Sequence, residues 1–185
     1  MDTTELKQAV RDAAKGDETA AASLFDHYHP RVFRYALAKL RRRDDAEDVA
    51  AETFARVLRD LDRFKWRGGG FEAWIFTVAS NLVVDHVRRS GREVATETVL
   101  DDAGGPREPT PEDMAVHSEL SRELRSLLED LVPEQREVLL LRFAAGLDTK
   151  EAGEVMGRKP NAVRQLQFRA LANLRSAAGE RFANR

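Results

Sequence analysis

The chain has 185 residues, charged side chains make up 34% of it, and its net charge is −2, so bulk charge does not mark it as a nucleic-acid binder. It contains no cysteine, which excludes disulfides, thiolate metal sites and a thiol switch within the chain. Its first residues lack a basic start followed by an apolar run, and no stretch approaches the roughly 20 apolar residues of a membrane span, so a cytoplasmic protein is the expectation.

Residues 3–15 predict an amphipathic helix on Leu6, Ala9, Val10 and Ala13, ended by Gly16, with Asp17 as the next cap. Leu24, Phe25 and Tyr28 continue the apolar face to Pro30, which marks a bend or a new first turn. Val32, Phe33, Ala36, Leu37 and Leu40 follow at helical spacing. From Arg31 to Arg43 this stretch carries only basic charge, which reads as a solvated face plus complementation of the helix C-terminus.

The sign then reverses. Asp44 or Asp45 caps a helix whose apolar face is Ala46, Val49, Ala50, Thr53, Val57, Leu58 and Leu61. Asp45, Glu47, Asp48 and Glu52 form its acidic face. Acids in the first turns suit the helix dipole, and they equally form a docking face for a basic partner. Phe64 to Phe71 is a loop made pliable by Gly68, Gly69 and Gly70. Lys65, Trp66 and Arg67 give it the aromatic-plus-cation character that holds single-stranded bases; the alternative for Trp66 is a core anchor. No Gly-Lys-Ser/Thr follows the glycines, so the loop is not a nucleotide-phosphate loop.

Residues 71–90 form the most apolar helix of the first half, with a basic tail of His86, Arg88 and Arg89. Asn81 and Asp85 lie four apart on one face, placed to bond each other or a base edge. His86 reads as a solvated partner of the helix dipole. Residues 92–117 carry two basic and seven acidic side chains among Gly104, Gly105, Pro106, Pro109 and Pro111, the composition of a flexible acidic linker. The fold class is therefore all-α: two small helical domains, 1–91 and 118–185, joined by the linker 92–117.

The second domain opens on Leu120, Leu124, Leu127, Leu128 and Leu131. Pro133 stands at a helix N-terminus and Gly146 at a left-handed cap. Asp148 or Thr149 caps a short helix, with Glu151 where a capping box places it, and Gly157 closes that helix. Pro160 or Asn161 opens a long helix on Val163, Leu166, Ala170, Leu171 and Leu174 that fades after Ala178. Two helices across a short glycine-containing turn are a helix-turn-helix, whose second helix enters the DNA major groove. From Arg158 onward seven basic residues face Glu180 alone, whereas 118–157 is net acidic, as phosphate contact by the last helix requires.

Three runs in this order resemble bacterial RNA polymerase sigma factors of the sigma-70 family, extracytoplasmic-function (ECF) group. DDAEDVAAETFARVLRDLDRF is similar to the family's polymerase-clamp-binding helix, and FEAWIFTVASNLVVDHVRR to its promoter-melting helix. LVPEQREVLLLRFAAGLDTKEAGEVMG with NAVRQLQFRALANLR resembles its C-terminal helix-turn-helix. The resemblance implies that Asp45, Glu47, Asp48, Glu52 and Phe54 meet the polymerase β′ clamp helices. It implies that the loop from Lys65 through Trp66 and Arg67 to Phe71 captures a flipped base of the −10 element, with Trp74, Asn81, Asp85, Arg88 and Arg89 at the melted strand. It places Lys159, Asn161, Arg164, Gln165, Gln167, Phe168 and Arg169 at the −35 element.

The partners implied are core RNA polymerase (β′ clamp helices and β flap), promoter DNA and an anti-sigma factor; no cofactor and no metal are implied. Ala51 departs from the family's common Gln, which touches one clamp contact. Phe168 departs from a common His, which alters −35 preference or places a packing residue there. A sigma-like decoy would be expected to lose Arg88, Arg89, Arg164 and Arg169, which this chain keeps. A plain repressor needs neither the glycine loop nor the acidic helix. An enzyme is not supported: His27 and His29 lack the helical spacing that sets two ligands side by side, and no nucleophile motif is present.

Overall fold

The computed structural model describes residues 1–90 and 123–183, and within them the fold is all-α. The linker 92–117 and Leu120 lie outside the described residues. The first domain comprises α1 (Thr3–Ala13), α2 (Glu18–Leu40), α3 (Arg43–Arg59), a 3₁₀ turn (Leu61–Arg63) and α4 (Gly70–Ser90). The second comprises α5 (123–129), α6 (Pro133–Leu139) with a π turn over Leu140–Ala144, α7 (Thr149–Met156) and α8 (Pro160–Ala183).

Helix ends follow the local chemistry. Asp2 and Glu5 form a capping box on α1, and Asp17 caps α2 by accepting from the Ala20 N–H. Asp148 and Glu151 form the expected box on α7, and Gly157 (φ +63°) closes that helix. Pro133 takes the first-turn position of α6, where its missing N–H costs nothing. Gly146 adopts the left-handed conformation (φ +71°) beyond the π turn.

Several expectations are corrected. Pro30 does not start a new helix; α2 runs through it, and Tyr28 before it and Val32 and Tyr35 after it are all buried on one continuous face. The α3 cap is Arg42 rather than an aspartate, and Asp44 and Asp45 fall inside the first turn. Leu58 is exposed, not part of the α3 apolar face, and α8 continues five residues past Ala178.

Tyr28, Tyr35, Phe71 and Phe76 fill the first domain's centre, and Val138, Leu141, Leu147 and Val163 the second's; together they form one contiguous core. The two domains pack directly. The Arg31 Nε donates to the Ala145 carbonyl at 2.8 Å and its Nη2 to Gly146 at 3.3 Å, and Arg34 Nε donates to Ala144 at 3.4 Å. These guanidinium groups take up carbonyls at the end of the α6–π segment, where the backbone needs acceptors satisfied and the dipole favours a cation. The Tyr35 hydroxyl donates to Glu137 at 2.6 Å, Lys39 forms an ion pair with the same carboxylate, and Arg41 pairs with Glu129. The basic run of α2 is thus not simply a solvated face. It is the docking face for the second domain.

Candidate nucleic-acid interface

The loop before α4 is built on stacked aromatics. Phe64 stacks on Trp74 (centroids 4.9 Å apart) and meets Trp66 and Phe71 edge-on at 5.0 and 5.6 Å. Trp66 is 42% exposed, so it is not a core anchor; Lys7 of α1 lies 5.8 Å over its ring. Phe71 is fully buried and Tyr28 packs edge-on against it, so Phe71 supports the loop from beneath and its ring is not offered to a ligand. Between the loop and α4 lies an open cleft of about 350 Å³, lined in part by Phe64, Lys65, Arg67, Trp74 and Thr77, with Glu154 of α7 as its far wall. An exposed indole packed on Phe64, beside a cleft with aromatic walls and cations, suits an unstacked base with its phosphates.

Along α4, Asn81, Arg88 and Arg89 are exposed and Asp85 is half-buried. Asp85 does not engage Asn81: it pairs with Arg88 at 3.2 Å, and its carbonyl accepts from Arg89 Nε at 3.3 Å. His86 is not merely a dipole partner, since its Nε2 sits 3.4 Å from Asp45 and ties α4 to α3. Of the acidic face on α3, Glu47 accepts from Arg43 one turn before it at 2.9 Å, Glu52 from Arg56 one turn after it at 2.7 Å, and Asp48 is exposed. Such surface pairs are worth about 0–1 kcal/mol and exchange readily for a partner's cations. Phe54 is corrected to a buried residue, packed against Phe25 and His29, and it shapes the face from inside.

On α8, Asn161, Arg164, Gln165, Phe168 and Arg169 are exposed, and the first four repeat at three- and four-residue spacing as one stripe. Arg164 Nη1 donates to Asn161 Oδ1 at 2.6 Å, which holds the guanidinium upright at the start of the helix. Phe168 does not pack: it is 75% exposed at the C-terminal end of the stripe. Gln167 leaves the set, because it is half-buried and its Oε1 accepts from Arg142 Nε at 3.0 Å, joining α8 to the π turn. Lys159 is exposed at the turn.

Residues 24–93 match the sigma-70 region 2 model, and residues 121–174 match sigma-70 region 4. The ECF RNA polymerase sigma factor ShbA of Streptomyces griseus is 37% identical over 96% of this chain and 97% of its own length. The chain belongs to the ECF group of the sigma-70 family. BldN of Streptomyces coelicolor, likewise an ECF sigma factor, is 36% identical over 94% of this chain, which spans 66% of BldN. The structure of CnrH, solved with the cytosolic domain of CnrY, superposes with a TM-score of 0.73 at 25% identity, covering 95% of this chain and 98% of that one.

Sequence reasoning missed two neighbours of this sigma factor's loop: Lys7, over the Trp66 ring, and Glu154, in the wall of the cleft. Each comes from an element far away in the chain, and nothing local signals the contact. Glu151, beside Glu154, is half-buried; burial pushes its carboxyl above the usual range, with Asp148 and Glu72 adding to the effect, while Arg31 and its bond to the Asp148 N–H oppose it. A raised folded-state value means stability is greatest with the group protonated and falls as pH rises through that value. Glu151→Gln keeps an acceptor for the capping box and removes the charge. Its melting temperature is expected to exceed the parent's at pH 7, and the gap to close as pH falls toward the ordinary glutamate range. Equal melting at pH 7 would show that the ionised carboxylate costs nothing where it sits.

Proposed function

We propose that this sigma factor binds core RNA polymerase, reads the −35 and −10 promoter elements and opens the duplex, performing no chemistry of its own. The observation that carries the reading is the exposed Trp66, edge-on to Phe64 of an aromatic, cationic cleft, on the same chain as a helix-turn-helix with an exposed polar and aromatic stripe. Asp45, Glu47, Asp48 and Glu52 meet the β′ clamp helices; Ala51, exposed on the same helix, offers a methyl where the family's Gln would reach. Trp66, Lys65 and Arg67 take the flipped −10 base, and Trp74, Asn81, Arg88 and Arg89 lie along the melted strand. Lys159, Asn161, Arg164, Gln165, Phe168 and Arg169 face the −35 element, and the second domain also meets the β flap.

An anti-sigma factor is proposed as the restraint. An apolar cleft of about 450 Å³ between α2, α5, the π turn and α8, with Leu37, Leu128, Phe143 and Leu174 in its walls, would take an apolar helix face. The setting is the cytoplasm, where polymerase and DNA reside; among the described residues no helix is long and apolar enough to cross a membrane.

Run-off transcription with bacterial core polymerase and a pool of promoter fragments tests the reading. Transcripts that require both this protein and a shared upstream and start-proximal motif are expected. Tight core binding without any transcript would instead make it a decoy. Trp66→Ala is expected to leave duplex binding by the holoenzyme within a few-fold and to abolish most permanganate reactivity of unpaired thymines near the start site. Base–aromatic stacking is worth about 1–3 kcal/mol per base, enough to decide whether an opened strand is retained. Unchanged permanganate footprints would remove Trp66 from base capture.

A further inference from the structure

The first helix reaches the reading loop from outside the segment that carries the family match. α1 ends at Ala13, and the region 2 match begins at residue 24. Leu6 and Val10 are buried and anchor α1 on the core, and the capping box of Asp2 and Glu5 fixes its start. Lys7, next to Leu6 and exposed, is thereby carried to the loop: its Nζ lies over the Trp66 ring, 5.8 Å from the centroid. The indole has two further neighbours. Phe64 meets it edge-on at 5.0 Å, and a Cβ on Gly70 would stand 3.7 Å from its Cζ3.

The charge of Lys7 is not matched by an acid. The carboxylates of its own helix are engaged elsewhere: Glu5 accepts from the Asp2 N–H at 2.8 Å, and Asp12 from the Gln8 amide at 2.7 Å. Among the described residues no carboxylate pairs with Lys7. Its contact with the indole lies near the outer reach of cation–π attraction, about 6 Å, and such contacts are weak where the ring is exposed. The position suits a phosphate better than it suits the fold. A base laid on the indole brings its own phosphates to the rim of the ring, and a lysine ammonium on a flexible four-carbon stem is a point charge that can follow them. The cleft beside the loop is served by Arg63, Lys65 and Arg67. Lys7 brings a further cation from a different element to the exposed ring.

We propose that Lys7 of α1 is a further contact to the melted −10 strand: its ammonium passes from the free Trp66 ring to a backbone phosphate of the nucleotide stacked there. The proposal rests on the loop being the −10 reader. The exchange replaces a weak contact by a charge-assisted one. A phosphate contact positions the strand and carries no base identity, so its loss weakens all sequences alike and shows in the salt dependence.

Holoenzyme made with the full-length chain is titrated with a dye-labelled single-stranded oligonucleotide, the non-template strand of a promoter identified by run-off transcription, at several salt concentrations. One phosphate contact to a single strand contributes about 0.7 to the log–log salt slope, equivalent to about fivefold in affinity at about 0.1 M salt. Lys7→Gln is expected to flatten the slope by about 0.7 and to weaken binding about fivefold at that salt, and Lys7→Arg to keep both near the parent's. Lys7→Met removes the same charge and keeps an unbranched stem, so a folding defect in one neutral variant, detected by circular dichroism, leaves the other to carry the test. Lys15, exposed beyond the end of α1, is the control, and Lys15→Gln is expected to leave the slope as it is. A parental slope in the neutral Lys7 variants overturns the proposal whatever their affinity, because a lysine that only steadied the indole would change affinity alone. An equal flattening in Lys15→Gln also overturns it, by reducing the effect to net charge. Trp66→Ala in the same titration separates the two failures. Parental affinity in Trp66→Ala sinks the base-capture reading beneath the proposal; weakened binding there, beside an unchanged slope in Lys7→Gln, sinks the Lys7 contact alone.

Discussion

Gly153→Ala is expected to destabilise the helix-turn-helix and to cost the holoenzyme its dependence on the −35 element. An ordinary Gly→Ala change inside a helix gains about 0.5–1 kcal/mol, because glycine loses more freedom on folding. Here the added Cβ would stand 2.5 Å from the Arg158 carbonyl oxygen and 3.5 Å from Val163 Cγ2. The chain folds back over Gly153 at this point, with the Arg158 N–H donating to the Gly153 carbonyl at 2.8 Å. The obstacle is backbone, not the movable end of a side chain, so relief requires α7 and α8 to move apart. Overpacking of this kind costs about 1–3 kcal/mol, more than the propensity gain returns. Gly179, later in α8, is the internal control. A Cβ there meets nothing within 4 Å, so Gly179→Ala is expected to raise stability by the ordinary amount. Thermal or denaturant unfolding of the two variants reads the difference in sign. Stabilisation by Gly153→Ala would mean that the turn gives way freely and does not fix the angle between the two helices.

Gly153 carries no mark in the sequence, and that is instructive about what could be read there. The turn chemistry was legible because its causes are local: Pro133, Gly146, Asp148, Glu151 and Gly157 act on neighbours within a few residues, and all stand in the predicted roles. The apolar stripes of α4 and α8 were legible because burial follows helical period, although Leu171, read into the α8 stripe, is exposed. What failed depends on contacts distant in sequence. Phe54 and Phe71, which the resemblance sets at contact surfaces, are covered by the α2 rings of Phe25 and Tyr28. Gln167 looks like a base reader until Arg142 claims its carbonyl. The basic run of α2 looks solvated because its acidic partners, Glu129 and Glu137, lie some ninety to a hundred residues away. Pro30 misleads for a related reason: the lost N–H is a local cost, whereas the reward for continuing the helix is the burial of Tyr28, Val32 and Tyr35 against other elements.

Arg164→Ala is expected to weaken holoenzyme binding to a promoter fragment by about 1–3 kcal/mol, and to relax discrimination at one −35 position. The guanidinium is exposed, sits one turn into the recognition helix, and is oriented by Asn161, so little freedom is lost when it meets a base edge. Its fork matches the paired acceptors of guanine in the major groove. Phe168, one turn farther on the same stripe, has only apolar surface to offer, and the complementary feature in the groove is the methyl group of thymine. The two contacts are separable by chemistry. Replacing a −35 thymine by uracil deletes one methyl group and leaves every hydrogen-bonding atom in place. At the position that Phe168 covers, this change is expected to cost the parent protein about fourfold in affinity, from about 0.8 kcal/mol per buried carbon, and to cost Phe168→Ala nothing. Arg164→Ala should retain the full uracil penalty. A base scan of the −35 element with parent, Arg164→Ala and Phe168→Ala holoenzymes measures all three. Equal uracil penalties in parent and Phe168→Ala at every thymine would detach Phe168 from base reading, and an unchanged affinity in Arg164→Ala would detach Arg164, leaving the remaining stripe to account for recognition.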